Sequence, residues 1–232
     1  MSSHAIRISA KALLIVALAL VGTQPVRAVT VPFVEEFSTS DSRWGGRSGL
    51  LELDYVASGG VDGGGYVSDQ VRFELSADGD SIVAFRAQEE LNSSGNAFVG
   101  NWITGGVARF SAFVRHSATE PLFFFTRFSS PFNFPGATAV RFQPVAPHTW
   151  TQLDFEISAD NPAFVTFEGS NFNTVFSNIG HVQVGFDVPT GLGGSSTPIT
   201  VDLDRAAIVP EPMWLGSTGI LLGLATLRRI RI

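Results

Sequence analysis

The chain contains no cysteine and a single lysine among its 232 residues. The absence of cysteine excludes a disulfide framework, a thiolate metal site and a thiol nucleophile. Between residues 29 and 209 there is no lysine, and nine arginines stand against twenty acidic residues, a net charge of −11. An acidic surface without a basic cluster disfavours nucleic acid as a partner, and acidity alone names no other ligand.

Charged residues are also scarce, at 16%, whereas hydrophobic residues make up 44% of the chain. This balance excludes disorder over the whole length and is sufficient for a buried core. The aromatic residues are mostly of one type, with twenty Phe and only two Tyr. The chain also contains 24 Gly. Because Phe favours strands and Gly favours turns, the composition indicates a folded, β-rich domain.

Apolar and polar residues alternate repeatedly between residues 29 and 209. The pattern is clear in LELDYV, ARFSAFVR, TQLDFEI, HVQVGFDV and ITVDLDR, and it predicts strands with one buried face. Further strands are predicted at Val31–Phe37, Val71–Leu75, Ser81–Gln88, Leu122–Phe128, Ala139–Gln143 and Phe164–Glu168. Turn-forming segments separate these runs, and none has the period of a long amphipathic helix. We therefore predict an all-β fold, an antiparallel jelly-roll-like β-sandwich over residues 29–208.

The first 28 residues have the layout of a secretory signal. Arg7 and Lys11 precede the apolar run Ala12–Val21, and small residues follow it. This pattern predicts a helical signal peptide over residues 1–28, cleaved between Ala28 and Val29. The alternative, an uncleaved anchor, is disfavoured because the run is short for a membrane span.

Residues 209–232 form a second membrane-directed segment. It begins with the tripeptide Pro210, Glu211 and Pro212 and ends with the arginines Arg228, Arg229 and Arg231. The apolar stretch Met213–Leu227 between them would rise about 22 Å as a helix, which makes it a short transmembrane helix. The arginines would hold the C-terminus on the cytoplasmic side. Since proline lacks a backbone donor, we expect the tripeptide to stay outside the sheet and accessible.

The order of tripeptide, short apolar helix and terminal arginines resembles the PEP-CTERM sorting signal. The resemblance covers about a tenth of the chain and implies that Pro210, Glu211 and Pro212 are the sorting motif and the arginines the membrane stop. It implies a Gram-negative exopolysaccharide producer, with the export machinery and the membrane protease-transpeptidase exosortase as partners. The implied route is export, transient anchoring in the inner membrane and delivery to the cell surface or extracellular matrix. An ordinary tail anchor is the alternative.

The body resembles jelly-roll carbohydrate-binding and laminin-G-like modules. The shared features are FVEEFST near the start, the loop VDGGGYVS, the segment HTWTQLDFEI and the closing strand TVDLDR. Such modules often hold a structural calcium ion between the first and last strands. The resemblance therefore implies oxygen ligands from Glu36, Asp41, Asp202 and Asp204, with solvated surface acids as the alternative.

Three aromatic residues are candidates for contact with a sugar. Trp44 and Trp102 lie in loop-like sequence, and Tyr66 follows a glycine-rich segment. Binding would need their rings exposed, whereas partial burial in a core is the common state of such residues.

Motifs that would indicate catalysis are missing from the sequence. The start of a glucanase-like Glu-x-Asp-x-x-Glu motif at Glu52 is broken by Ala57, and no Gly-x-Ser-x-Gly or His-Glu-x-x-His occurs. We therefore predict a protein that is not an enzyme, with a sandwich that binds extracellular polysaccharide. The alternatives are a structural matrix protein with no defined ligand and a polysaccharide-active hydrolase or lyase.

Overall fold

The computed structural model describes residues 28–211. The predicted signal segment before Ala28 lies outside the described residues, as do Pro212, the apolar stretch 213–227 and the terminal arginines Arg228, Arg229 and Arg231. Within residues 28–211, the helices are too short or too polar to cross a membrane.

The alternating segments form strands that are joined by glycine-rich turns and short 3-10 turns. In chain order these are β1 (Phe33–Glu35), β2 (Asp54–Val56), β3 (Tyr66–Val71), β4 (Ser81–Gln88), β5 (Val107–His116), β6 (Phe124–Ser129), β7 (Gly136–Val140), β8 (Thr151–Glu156), β9 (Phe164–Thr166), β10 (His181–Asp187) and β11 (Ile199–Pro210). A short helix, α1 (Phe172–Phe176), lies between β9 and β10.

The strands form two antiparallel sheets. The six-stranded sheet has the order β2-β3-β11-β5-β8, with β1 also paired to β11, and the five-stranded sheet has the order β4-β10-β6-β7-β9. Strands that follow one another in the chain mostly alternate between the sheets, as in a jelly roll. The predicted all-β antiparallel sandwich is confirmed.

Phenylalanine fills the space between the two sheets. Phe128 of β6 is fully buried, and its ring centroid lies 5.4 Å from Phe110 of β5, 5.3 Å from Trp102 and 5.4 Å from Phe176 of α1. Edge-to-face contacts of this kind add to the stabilisation that comes from burying apolar area. The unusual phenylalanine content of the chain is therefore explained by an aromatic core.

Two strand predictions in the first third of the domain are wrong in position. The predicted strand Val71–Leu75 is a turn after Val71, where the Ser76 N–H donates to the Phe73 carbonyl at 2.9 Å and Leu75 is 96% exposed. The segment LELDYV forms a strand only from Asp54. The strand that pairs with it is β3, which begins at Tyr66 directly after the glycine-rich loop. The loop that joins β2 to β3, and not the alternation of apolar and polar residues, determines which residues of the two strands pair.

The last strand extends into the predicted sorting motif. β11 pairs with β1, β3 and β5, and its final residue, Pro210, pairs with Val107 at a register shift. The expectation that both prolines stay outside the sheet is therefore wrong for Pro210, which a strand terminus tolerates because no further ladder bond is needed there. Pro210 and Glu211 are nevertheless exposed.

Candidate functional site

The outer face of the five-stranded sheet carries a group of polar side chains that we call the polar face. Arg86 of β4, Gln183 of β10 and Arg127 of β6 are paired in register across three strands. Their chain neighbours belong to the hydrophobic core, so the alternation of the strands directs the polar side chains away from it. The members of the polar face are Arg86, Gln88, Arg127, Ser129, His181 and Gln183.

Two members of the polar face are buried although they point away from the core. Gln183 is 1% exposed and His181 is 3% exposed. A loop after β6 covers them, because the Asn133 side-chain oxygen accepts hydrogen bonds from Gln183 Nε2 at 2.6 Å and Arg127 Nη1 at 2.7 Å. Asn133 adopts a φ of +64°, a left-handed conformation that asparagine tolerates well.

The same loop carries two exposed aromatic side chains. Phe132 is 92% exposed and Phe134 is 65% exposed, on either side of the buried contact made by Asn133. The Ser130 hydroxyl donates to the Phe134 carbonyl at 2.7 Å and closes the loop. The loop thus places two phenylalanine rings beside the polar face.

Arg127 is the most heavily bonded member of the polar face. Its Nε and Nη2 donate to the two carboxylate oxygens of Glu168 at 2.6 and 2.7 Å, a bidentate ion pair. The hydrogen bonds from Arg127 hold the pKa of Glu168 below its usual value, with a further bond from the Gly136 N–H. A Cβ at position 136 would lie 2.6 Å from Arg127 Nη2, so a side chain there would displace the guanidinium from its present position.

His181 is bonded in a similar way at the end of β10. Its Nε2 lies 2.8 and 3.0 Å from the carboxylate oxygens of Glu90, in the 3-10 turn Glu89–Leu91 that follows β4. The ion pair has one exposed partner, since the Glu90 side chain is 55% exposed. This half of the polar face is therefore internally satisfied.

Arg86 and Gln88 on β4 differ from the rest of the polar face. Arg86 Nε and Gln88 Oε1 are both buried and lack a hydrogen-bond partner. Burial lowers the pKa of Arg86, the nearby charge of Arg127 lowers it further, and Glu52 partly opposes both effects. Among the described residues, Arg86 forms no ion pair within 4.0 Å. The β4 side of the polar face thus contains two polar atoms that are covered by protein and have no hydrogen-bond partner.

The chemistry of the polar face favours binding over proton transfer. The two carboxylates that bond to members of the polar face are Glu168, with Arg127, and Glu90, with His181. A general acid needs a raised pKa, and that of Glu168 is lowered. Paired guanidinium and amide groups instead suit the recognition of oxygen-rich ligands.

Two of the three candidate sugar contacts have no exposed ring. Trp44 and Trp102 are 0% exposed. The Trp44 indole N–H donates to Ser94 Oγ at 2.8 Å, and that of Trp102 donates to the Phe98 carbonyl at 2.7 Å. The core burial weighed against ligand contact for these residues is what the structure shows, because the loops that carry them fold into the core and satisfy the indole donors internally.

Tyr66, the third predicted contact, lies on the outer face of the six-stranded sheet. Its ring packs edge-on against Trp150 at 5.5 Å, and the Arg115 guanidinium lies over both rings, 5.0 Å from Tyr66 and 4.4 Å from Trp150. Arg115 is also paired with Asp202 at 2.8 Å. The ring of Tyr66 is half-buried and engaged within the protein, and its contact with a ligand stays a prediction.

The four acids predicted to hold calcium lie in different environments. Asp202 is buried and bonds to Ser68 Oγ as well as to Arg115, each at 2.8 Å. Asp41 Oδ1 accepts from the Arg43 N–H at 3.0 Å in a local turn. These two carboxylates are therefore committed to other partners.

The remaining two acids, Glu36 and Asp204, lie close to the guanidinium group of Arg205. Asp204 is 3% exposed, accepts from the Val61 N–H at 2.7 Å, and has its pKa raised by burial. The Arg205 guanidinium pairs with Glu36 at 3.2 Å and with Asp62. Residues 28–211 contain no group of three or more histidines and acids arranged to hold a metal. The four predicted ligands do not form one coordination shell in this arrangement, and calcium binding stays a prediction.

Sequence reasoning did not select the residues of the polar face. Alternation alone places Arg86 and Arg127 on the polar side of β4 and β6. It cannot show that β10 lies between these strands and brings Gln183 into line with both. Lone polar residues on alternating strands are ordinary surface features, so this signal was too weak to single them out.

The fold and the site define a class of protein, a two-sheet antiparallel β-sandwich with a partly buried polar face on one sheet. No protein-family model and no curated protein matches the chain.

Solved structures of similar architecture are distant in sequence. The CBM22-1 xylan-binding domain of Paenibacillus barcinonensis Xyn10C aligns with a TM-score of 0.46 and 13% identity, over 80% of this chain and 99% of that domain. The family 11 carbohydrate-binding module of Clostridium thermocellum Lic26A-Cel5E aligns with a TM-score of 0.46 and 10% identity, over 78% of this chain and 96% of that module. An exo-β-agarase aligns at 0.49 with 9% identity, and the aligned region is only 26% of that enzyme. Similarity at this level assigns the chain to no family.

Proposed function

We propose that this protein is a non-catalytic polysaccharide-binding module whose ligand lies along the polar face. The observation that carries the proposal is the row Arg86–Gln183–Arg127, whose side chains are half-buried or buried on the face that does not pack against the core. Burying polar groups is unfavourable unless hydrogen bonds compensate, and two atoms on this face have no such bonds. The half-buried guanidinium groups of Arg86 and Arg127 can donate to the hydroxyl and ring oxygens of a polysaccharide.

The exposed phenylalanines support the same proposal. Sugar rings have apolar C–H faces as well as hydroxyl edges, so their sites combine aromatic surfaces with a few convergent polar groups. Phe132 and Phe134 provide the aromatic surface beside the polar face.

Removing both rings tests the proposal directly. We expect the double variant Phe132→Ala and Phe134→Ala to weaken polysaccharide binding by roughly tenfold or more. Each contact between a phenylalanine ring and a sugar ring is worth about 1 kcal/mol. The measurement is affinity electrophoresis or calorimetry of the full-length chain with extracellular polysaccharides. The matched control is Phe142→Ala, which removes a ring that is 61% exposed in a separate groove beside Arg109 and Asn161.

The outcomes of this experiment separate the candidate functions. Binding that falls in the double variant and persists in the control supports the polar face as the site. Equal loss in both variants would argue for nonspecific adhesion. If no polysaccharide binds the unmodified chain, the proposal fails and the structural matrix role becomes the better account.

We also propose that the protein is exported and processed at its C-terminus by an exosortase-type enzyme. The proposal is supported by the sequence of the two terminal segments and by the exposure of Pro210 and Glu211 at the end of β11. We expect mass spectrometry of the protein from its host to show an N-terminus at Val29 and a C-terminus after residue 209 and before Arg231. Detection of the intact Arg231-Ile232 terminus in the mature protein would contradict sorting.

A further inference from the structure

The outer face of the six-stranded sheet carries a groove that the polar face does not include. The groove has a volume of about 310 Å³, which lies within the usual range of small-ligand sites. We call it the tyrosine groove. It is lined by Tyr66, Arg115, Ser117, His148, Thr200 and Asp202.

Three neighbouring strands place the groove residues on one side of the sheet. Asp202 of β11 pairs in register with Ser68 of β3 and with Arg115 of β5. Val201, the residue before Asp202, is fully buried in the core, so the alternation of the strand directs Asp202 to the outer face. Tyr66 lies two residues before Ser68 on β3 and therefore shares this face.

Arg115 offers hydrogen-bond donors to the groove without carrying an unbalanced charge. Asp202 accepts from Arg115 Nε at 2.8 Å, which balances the charge of the guanidinium. The Gly59 carbonyl accepts from Arg115 Nη1 at 3.4 Å. A guanidinium has five N–H donors, and 25% of the Arg115 side chain is exposed. Donors therefore remain for the hydroxyl and ring oxygens of a neutral ligand.

Aromatic and hydroxyl groups surround these donors. The half-buried Tyr66 ring forms one wall and is held edge-on by Trp150 at 5.5 Å. Ser117 Oγ accepts from the Thr200 N–H at 2.8 Å, which leaves the Ser117 hydroxyl hydrogen for a ligand oxygen. His148 is exposed at the rim, and its backbone N–H donates to the last carbonyl of β5 at 2.7 Å. An aromatic wall with a few convergent polar groups is the usual composition of a small-ligand site.

The tyrosine groove and the polar face point in opposite directions. They lie on the outer sides of the two different sheets. The sheets of a sandwich pack about 10 Å apart with the core between them. A polymer that lies along one sheet therefore leaves the other sheet free for a second polymer.

We propose that the tyrosine groove is a second polysaccharide site, specific for neutral sugar units, and that one molecule of this protein joins two polysaccharide chains. The inference rests on the proposed function, which supplies the first site on the polar face. Because a bridge needs both sites, loss of either site abolishes bridging while binding persists at the other.

Light scattering of protein–polysaccharide mixtures measures the bridging. The probes are mixed-linkage β-glucan, galactomannan and agarose, each titrated with the full-length chain. For a probe that binds, we expect scattering to rise to a maximum and to fall at excess protein, because separate molecules then occupy every position on the polymer. Calorimetry with a short oligosaccharide of the same probe is expected to show a second site on each molecule.

Variants of each face separate the two sites. Tyr66→Ala with His148→Ala removes a wall and the rim of the tyrosine groove, and is expected to abolish the scattering maximum and leave one oligosaccharide site of unchanged affinity. Phe132→Ala with Phe134→Ala is expected to suppress the maximum by weakening the polar face, with the groove site retained. The matched control is Gln152→Ala, which removes an exposed side chain from the outer side of β8 and should change neither measurement.

Each outcome either supports or overturns the bridging inference. If the groove double variant fails to fold, His148→Ala alone removes an exposed side chain and is expected to weaken the second site by roughly three- to tenfold, the worth of one hydrogen bond. A single site in the unmodified chain, or a scattering maximum that persists in the groove variant, would overturn the inference and leave the polar face as the binding site. Lower stability of the groove variant with no change in the number of sites would show that the cluster only supports the sheet. If no probe binds the unmodified chain, the proposed function itself fails.

Discussion

Trp102→Ala is expected to lower the free energy of unfolding by about 3–5 kcal/mol, the usual cost of deleting a large buried aromatic side chain. Trp102 is 0% exposed and packs against Phe128 at 5.3 Å and Phe176 at 5.9 Å. Its removal leaves a cavity between the sheets and strips the Phe98 carbonyl of the indole donor. Urea or thermal unfolding measures the loss, which corresponds to a fall in Tm of about 6–20 °C for a domain of this size.

The matched control is the surface tryptophan. Trp150→Ala removes a half-buried ring that contacts Arg115 and Tyr66 on the outer face of the six-stranded sheet. We expect a loss of about 1–2 kcal/mol, since cation–π and single hydrogen-bond contributions are small at exposed sites. A loss for Trp102→Ala no larger than that for Trp150→Ala would contradict the burial of Trp102, and would reopen its assignment as a ligand contact.

Arg127→Leu is expected to lower the free energy of unfolding by about 2–3 kcal/mol and to weaken polysaccharide binding at the same time. Removing one partner of a buried ion pair leaves the other uncompensated, and the usual cost of 3–5 kcal/mol is reduced here because the Glu168 side chain is 25% exposed. Asn133 also loses a donor, so the loop that presents Phe132 and Phe134 is no longer held against the sheet.

The pH dependence of this variant provides an independent measurement. The pKa of Glu168 in the folded protein lies below its ordinary value of 4.5 because of the bonds from Arg127. The stabilisation is therefore present above that ordinary value and is lost as the pH falls through the folded pKa. In Arg127→Leu the part of the acid-induced loss of folding stability that comes from Glu168 is expected to vanish, because Glu168 no longer has a partner that favours its ionised form.

A surface ion pair serves as the control for Arg127. Arg109→Leu breaks the pair with Asp154, whose side chains are 54% and 40% exposed, and is expected to change stability by at most about 1 kcal/mol. In a double-mutant cycle, Arg127→Leu with Glu168→Leu should recover part of the loss. Additive effects of the two substitutions would show that Arg127 and Glu168 do not stabilise one another.

Much of the fold was predictable because its signal is local. The strand Ser81–Gln88 was predicted with the bounds that the structure shows, and β5, β8 and β10 coincide with the clearest alternating segments. The failures fall where the signal is not local. Val71–Leu75 has strand-forming residues but lies at a turn, and β3 was hidden beside a glycine-rich loop.

The candidate site was less predictable than the fold. Trp44 and Trp102 were candidates for ligand contact because they lie in loop-like sequence, with burial as the alternative, and both are enclosed by the core. Asp202 and Asp204 were expected on a solvent face, yet both are buried because β11 is a central strand whose outer side is covered. Exposure depends on what packs above a residue, and no pattern along the chain contains that information.

The sequence by itself determined the all-β class, the main strands, the acidic and cysteine-free surface, and the motifs on which the export and sorting proposal rests. These depend on composition and on short-range alternation, which act between residues close together in the chain. Only the tertiary structure decided that Gln183 joins Arg86 to Arg127, that Glu168 neutralises Arg127, and that Asn133 bonds to both Gln183 and Arg127. The physical reason is that hydrogen bonds and ion pairs form between atoms within about 3 Å, and folding alone brings residues from distant strands to that distance.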